Sequence, residues 1–258
     1  MSIQKSNYNI AGAIGLYKKE CKRFFSVYIQ TVISPIISSL TFFAIIIFIR
    51  PQNNIFNISF EEFIIPGLII MSIVQNSFSN SSSSIVVSKM GGTIYDLLIV
   101  PLSPFGITMA YAAAGITRGI MITIVSFFVF NFIIDIQIYD FSAFITYIFL
   151  GSLMMSLLGI IAGYVCKGFE QMSSVSVFLI VPLSMLSGMF YSIKQLPDIL
   201  YTISTYNPIF YIIDGFRYSM INIHDQPLSH GIISLIIINV IFFFISFNMI
   251  KKGYGIKE

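Results

Sequence analysis

What this sequence has least of is charge. Only 10% of its residues are Asp, Glu, Lys or Arg, against 56% hydrophobic, and the mean hydropathy is +0.88. Soluble domains carry about 25% charged residues, so the composition excludes a soluble fold and points to a polytopic membrane protein. The net charge of +3 is too small to suggest nucleic acid as a partner. Cysteine is scarce as well. Cys21 and Cys166 both fall on the side assigned below to the cytoplasm, where a reduced pair is expected rather than a disulfide. There is no GxxxxGK[ST] phosphate loop, no HExxH and no Cys/His cluster, so this chain is expected to bind no cofactor or metal of its own. His224 and His230 stand alone and read as solvated. No Ser/His/Asp set is placed by spacing, and no catalytic residue is expected. The first twenty residues lack an apolar run followed by a small-residue cleavage site, so the first span is expected to serve as its own uncleaved signal.

Long apolar runs are what the chain has instead. Segments 27–49, 63–87, 105–134, 141–165, 172–191 and 231–250 are each long enough to cross a hydrocarbon core of ~30 Å as helices. The expected fold is an all-α polytopic membrane protein, 1–258 forming a single transmembrane domain. Pro35 and Pro182 are expected as tolerated kinks. The second span is apolar in its first half, but its second half, QNSFSNSSSS, carries Gln75, Asn76, Asn80 and six serines. A loop there would leave too few apolar residues to cross, so a buried or cavity-facing half-helix is expected, its hydroxyls bonded to the preceding turn. The third span carries Arg118, the one charge inside a span away from its ends. Buried arginine is costly, and a structural ion pair is expected for it rather than direct substrate contact. The fourth span is rich in small residues, with Gly159 and Gly163 in a small-xxx-small pattern that lets helices approach.

Ahead of the first span, 8–25 reads as an amphipathic helix lying in the membrane interface. Ile10, Ile14, Tyr17, Cys21 and Phe24 share one face, and Lys18, Lys19, Lys22 and Arg23 crowd the other. Six spans put both termini on one side, and that side holds ten basic residues: Lys5, Lys18, Lys19, Lys22, Arg23, Lys89, Lys167, Lys251, Lys252 and Lys257. The other side holds three, Arg50, Lys194 and Arg217, with seven acids. The positive-inside rule then puts both termini in the cytoplasm.

Two connections stand out. In the cytoplasmic loop 88–104, Thr93 can cap a helix and Asp96 could complete a capping box. Ile94, Leu97 and Leu98 share one face of about two turns that Pro101 and Pro104 end. That apolar face needs a partner surface, either another protein or the chain's own bundle and the lipid interface. The second connection, Val181 to Asn222, is apolar yet broken at Gly188, Pro197 and the Asn207-Pro208 pair. Its pieces are too short to span, which leaves re-entrant helices over 192–222 or a structured extracellular loop. Asp214 and Arg217, three apart on a helix, could pair there.

Four stretches together carry a resemblance: FIIPGLIIMSIVQNSFSNSSSSI in the second span, GGTIYDLLIVPLSP in the loop, Thr117-Arg118-Gly119 in the third span, and SGMFYSIKQLP…YNPIFYIIDGFRY near the end. In order and spacing the chain resembles the permease subunits of type-2 ABC exporters, in the YadH-like branch of bacterial inner-membrane transport permeases. Asp96 stands where that family often has Glu, and Ser88-Lys89 replaces a common acidic-basic pair. The resemblance implies two permease subunits side by side in the inner membrane and two separate ATPase subunits beneath them, which hold ATP-Mg. It implies that the loop around Gly92, Thr93, Ile94, Asp96, Leu97, Leu98 and Pro101 is a coupling helix and that the N-terminal helix touches the same ATPase. Gly188, Pro197, Asn207, Pro208, Asp214 and Arg217 would belong to re-entrant helices closing an export pathway from outside. Two other readings compete: a stand-alone secondary transporter, which would want an intramembrane acid that the six spans lack, and a non-transporting membrane assembly protein.

Overall fold

In hydrocarbon, backbone polar groups must find partners within their own segment, and helices are how a single chain of apolar runs does this. In the computed structural model, which describes residues 10–49, 59–100 and 102–255, with backbone alone at 97–99, every regular element is helical. Helix α1 (Ile10–Ser26) leads into α2 (Ile29–Ile49) and α3 (Phe60–Met90). The short α4 (Ile94–Ile99) separates α3 from α5 (Pro104–Ile133), and α6 (Phe141–Val165) and α7 (Phe169–Leu186) follow. Two short helices, α8 (Asp198–Tyr206) and α9 (Pro208–Ile221), come before the final α10 (Leu228–Lys252). Helices α2, α3, α5, α6, α7 and α10 are long and apolar enough to cross a bilayer. The chain is an all-α polytopic membrane protein.

Helix ends follow local chemistry. Ser59 accepts a hydrogen bond from the Glu62 N–H at 3.3 Å and starts α3 three residues before the expected span. At 31 residues α3 is roughly 46 Å long, more than the bilayer's ~30 Å, so its ends extend beyond the hydrocarbon. Asp140 caps α6 through the N–H groups of Ser142 and Ala143. The fifth span, expected to reach Tyr191, ends at Leu186, because the chain reverses at Gly188 with φ +73°. Both expected kinks take the form of π-helical turns, Ile29–Ile33 ahead of Pro35 and Ser176–Ile180 ahead of Pro182. A widened turn relieves the clash between a proline ring and the carbonyl one turn back.

Helix α3 is the hub. It packs most extensively on α6 and α5, while α2, α7 and α10 leave most of their surface outside the bundle. The serine-rich half of α3 is helix interior: Ser81 Oγ lies 2.6 Å from Ser156 Oγ on α6, and Ser77 donates to the Gly115 carbonyl on α5 at 3.2 Å. Close approach of α6 depends on its glycines. A Cβ at Gly159 would strike the Phe78 carbonyl oxygen, and one at Gly163 would come within 2.8 Å of Ile85.

Candidate functional site

Three places bring the sequence-derived residues together. The first is the end of the bundle that carries the basic residues. Helix α1 lies against α5 and is fixed to α3 by polar contacts. Glu20, 1% exposed, accepts from Ser84 Oγ at 2.8 Å and from Arg23 Nε at 3.1 Å. Arg23 Nη2 in turn donates to the Asn80 backbone oxygen at 2.7 Å and its side-chain oxygen at 3.1 Å. Arg23 therefore turns into the bundle instead of joining Lys18, Lys19 and Lys22 on the outer face, while Ile10 and Ile14 are exposed. The sequence signal for Glu20 was available: it is a lone acid in a basic helix, three residues before Arg23.

Next to α1 is α4. Gly92 takes a left-handed φ of +71°, and Thr93 follows with φ −71° and ψ −8°. That is a helical conformation rather than an extended one, so the Thr93 side chain makes no cap and the expected capping box with Asp96 does not form. Ile94 does not face outward. It is 3% exposed and packs with Leu16, Ile85, Ile107 and Tyr164, so α4 is anchored to the chain's own bundle at its first residue. Tyr95 and Asp96 are exposed. Leu97 and Leu98 continue the helix, and Pro101 lies outside the described residues. Lys89 ties this corner to α6 by donating to the carbonyls of Tyr164 and Cys166, each at 2.8 Å. Burial pushes the Cys166 thiol up, with Lys89 opposing, and both cysteines are free.

The second place is Arg118, 6% exposed in the middle of α5. The expected ion pair is not there. Nη2 donates to Asn76 Oδ1 at 2.6 Å, and among the described residues no carboxylate lies within salt-bridge distance. Arg118 lines a cavity of about 390 Å³ between α2, α3 and α5.

The third is the break between α7 and α10. Helices α8 and α9 are roughly 14 and 21 Å long, too short to span, and α9 is buried against α6, α3 and α10. Pro197 precedes α8 and Pro208 opens α9. Asn207 joins them: Oδ1 accepts from the Ile209 N–H at 3.1 Å, while Nδ2 donates to the Leu183 carbonyl and to Ser187 Oγ at 2.8 and 2.7 Å. Asp214 and Arg217 are both buried, and each binds backbone instead of closing the direct pair expected of them. The Asp214 carboxylate accepts from the N–H groups of Asp225 and Gln226 at 2.7 and 3.1 Å. Arg217 donates to the carbonyls of Gly188 and Met189, and its guanidinium carbon lies 4.2 Å from the centre of the Phe63 ring. Asp225, which sequence reasoning passed over, completes the knot by accepting from Ser192 Oγ at 2.6 Å and the Ile193 N–H at 2.9 Å. His224 and His230 are exposed.

The described residues thus form a helical bundle with a buried cation beside a polar-lined cavity, α1 and the short α4 at the basic end, and a buried hairpin between α7 and α10. The chain belongs to the ABC-2 type transporter family, whose model matches residues 14–221. It is similar to the inner membrane transport permease YadH of Escherichia coli K12, of Escherichia coli O157:H7 and of Shigella flexneri. Each is 31% identical over 245 residues, 94% of this chain and 96% of the relative.

Proposed function

We propose that this chain is the permease subunit of an ABC exporter in the cytoplasmic (inner) membrane. Two copies form the pathway, both termini lie in the cytoplasm, and separate ATPase subunits dock at the basic end. ATP-Mg is held and hydrolysed on those ATPase subunits, and the permease itself is non-catalytic. Its other partners are membrane lipids.

The observation that carries this reading is the construction around α4. Its first residue, Ile94, is buried in the bundle, and the next two, Tyr95 and Asp96, are exposed. Beside it α1 is bolted to α3 through Glu20 and Arg23. A push on α4 or α1 from outside is thus transmitted to the hub helix through buried contacts, as a lever at an ATPase surface requires.

The test is purification of the tagged chain, expected to retain an ATPase subunit. The double substitution Tyr95→Ala, Asp96→Ala should leave the complex assembled while the ATPase rate drops to that of the isolated subunit. Ile94 is left intact so that folding is not in question. An unchanged rate would remove α4 from the coupling path, and a chain that never carries an ATPase would sink the exporter reading.

A further inference from the structure

The cavity around Arg118 has chemistry that packing does not explain. Arg118 sits midway along α5 (Pro104–Ile133), roughly 20 Å from either end at 1.5 Å per residue, and so deep in the bilayer. A cation at that depth costs several kcal/mol and normally finds an acid, carbonyls or water. Here its Nη2 meets the neutral amide oxygen of Asn76, and its Nε is buried with no hydrogen-bond partner. Asn76 is itself fixed, its Nδ2 donating to the Ser72 carbonyl at 2.9 Å. Among the described residues the arginine has an orienting partner but no counter-charge.

The walls of the cavity are two-sided. Ser39, Ser72, Gln75 and Asn76 bring hydroxyls and amides to one part, while Phe42, Leu68 and Met71 make an apolar wall beside it. On α2, Gln30, Ser34 and Ser38 recur every fourth residue, line the cavity and are exposed. Such a stripe is at odds with lipid and suits a polar pathway. About 390 Å³ is within the range of small-molecule sites, enough for a headgroup and too little for a whole lipid.

We propose that this cavity binds an anionic group, phosphate or carboxylate, of what the permease carries, with Arg118 as its charge partner and the serines and Gln75 as neutral donors. An amphiphile would place its headgroup at Arg118 and its chain along Phe42, Leu68 and Met71. A free anion would use the polar part alone. The proposal rests on the transport reading above and names the chemistry of its cargo.

The test uses the full-length chain in phosphatidylcholine nanodiscs, with Cys21→Ala and Cys166→Ala and a reporter Ser38→Cys labelled by a polar maleimide. Three probes are added: lysophosphatidic acid, the monoacylglycerol of the same chain length, and inorganic phosphate. Lysophosphatidic acid is expected to slow labelling, and monoacylglycerol, which lacks the phosphate, to slow it far less. Arg118→Gln should raise the concentration of lysophosphatidic acid needed by about tenfold to hundredfold, the loss of a charge-assisted hydrogen bond, and Arg118→Lys should recover much of it. Protection by inorganic phosphate at similar concentration supports the anion site with a free anion as its source.

Equal protection by monoacylglycerol, or undiminished protection in Arg118→Gln, overturns the proposal. So does a Ser38→Cys reporter no more reactive than a cysteine replacing Phe132, a 93% exposed residue on the outside of α5. If Arg118→Gln does not fold, the lysophosphatidic acid and monoacylglycerol arms decide on the unsubstituted arginine. No arm contains an ATPase, so failure of the coupling reading and failure of this one are separate results.

Discussion

Among the described residues two arginines are buried in this bundle, Arg118 and Arg217, and their surroundings differ. Arg217 is embedded in the hairpin after α7. The carbonyls of Gly188 and Met189 accept from it, Phe63 presents its ring face, and Asp214 and Asp225 supply negative charge nearby. Arg118 has one amide oxygen and an open polar cavity. Burying a guanidinium costs several kcal/mol, and breaking its partnerships costs as much again. In the hairpin the protein supplies the compensation and the arginine cements three segments. At the cavity the described residues supply Arg118 with one amide oxygen, from Asn76, and no carboxylate within salt-bridge distance.

The comparison can be broken most directly at Arg217. Replacing it by Ala strands two buried carbonyls and removes the positive charge near Asp214 and Asp225, and should lower stability by about 3–5 kcal/mol, read from unfolding of the purified chain in detergent. A loss below about 1 kcal/mol would mean that the hairpin does not depend on its cation. Gly67 tests the same corner from the other side, since a Cβ there would strike the Met189 carbonyl that Arg217 uses. Gly67→Ala should cost about 1–3 kcal/mol by overpacking. Gly15, with nothing within 4 Å of an added Cβ, should tolerate Ala with no loss of melting temperature.

Asp214 sharpens the comparison through pH. Burial pushes its carboxyl up to about 6, with the Asp225 and Gln226 N–H groups and Arg217 pulling the other way. A carboxyl held above its ordinary range contributes stability in full below about pH 4 and loses it as pH rises through about 6. The melting temperature should therefore fall between those limits, and Asp214→Asn should flatten the slope. An unchanged slope would mean that another group titrates there. A small effect is expected at Arg118. Removing a cation that has no counter-charge, as in Arg118→Leu, should change stability by less than about 1 kcal/mol or raise it. A loss matching that of Arg217→Ala would erase the distinction between the two arginines.

Much of the architecture was legible because it follows from local chemistry. Uncharged runs of this length have to be helices in a bilayer, and Gly159 and Gly163 one turn apart mark a close contact. The serine-rich half of α3 reads as helix for the same reason, as a loop there would leave the span too short. The sites were less legible because they depend on what faces what. Thr93 has the right identity for a cap but the wrong backbone angles. Ile94 shares a face with Leu97 and Leu98 in sequence, yet the bundle takes Ile94 for its own core. Asp214 and Arg217 have helical spacing for a pair, and distant backbone groups outcompete that pairing. Nothing in the linear order of residues shows that Asp225 faces Ser192 or that Glu20 faces Ser84.

From residue order alone follow the membrane as solvent, the helical class, six runs long and apolar enough to cross a bilayer, and the breaks at Gly188 and Asn207-Pro208. Hydrophobicity, charge and proline act through the backbone within a few residues, so no tertiary information was needed. The tertiary structure alone decided which buried charges are satisfied. Partnership is a matter of distances across helices, and only packing α2, α3 and α5 together shows that Arg118 has a cavity beside it instead of a carboxylate.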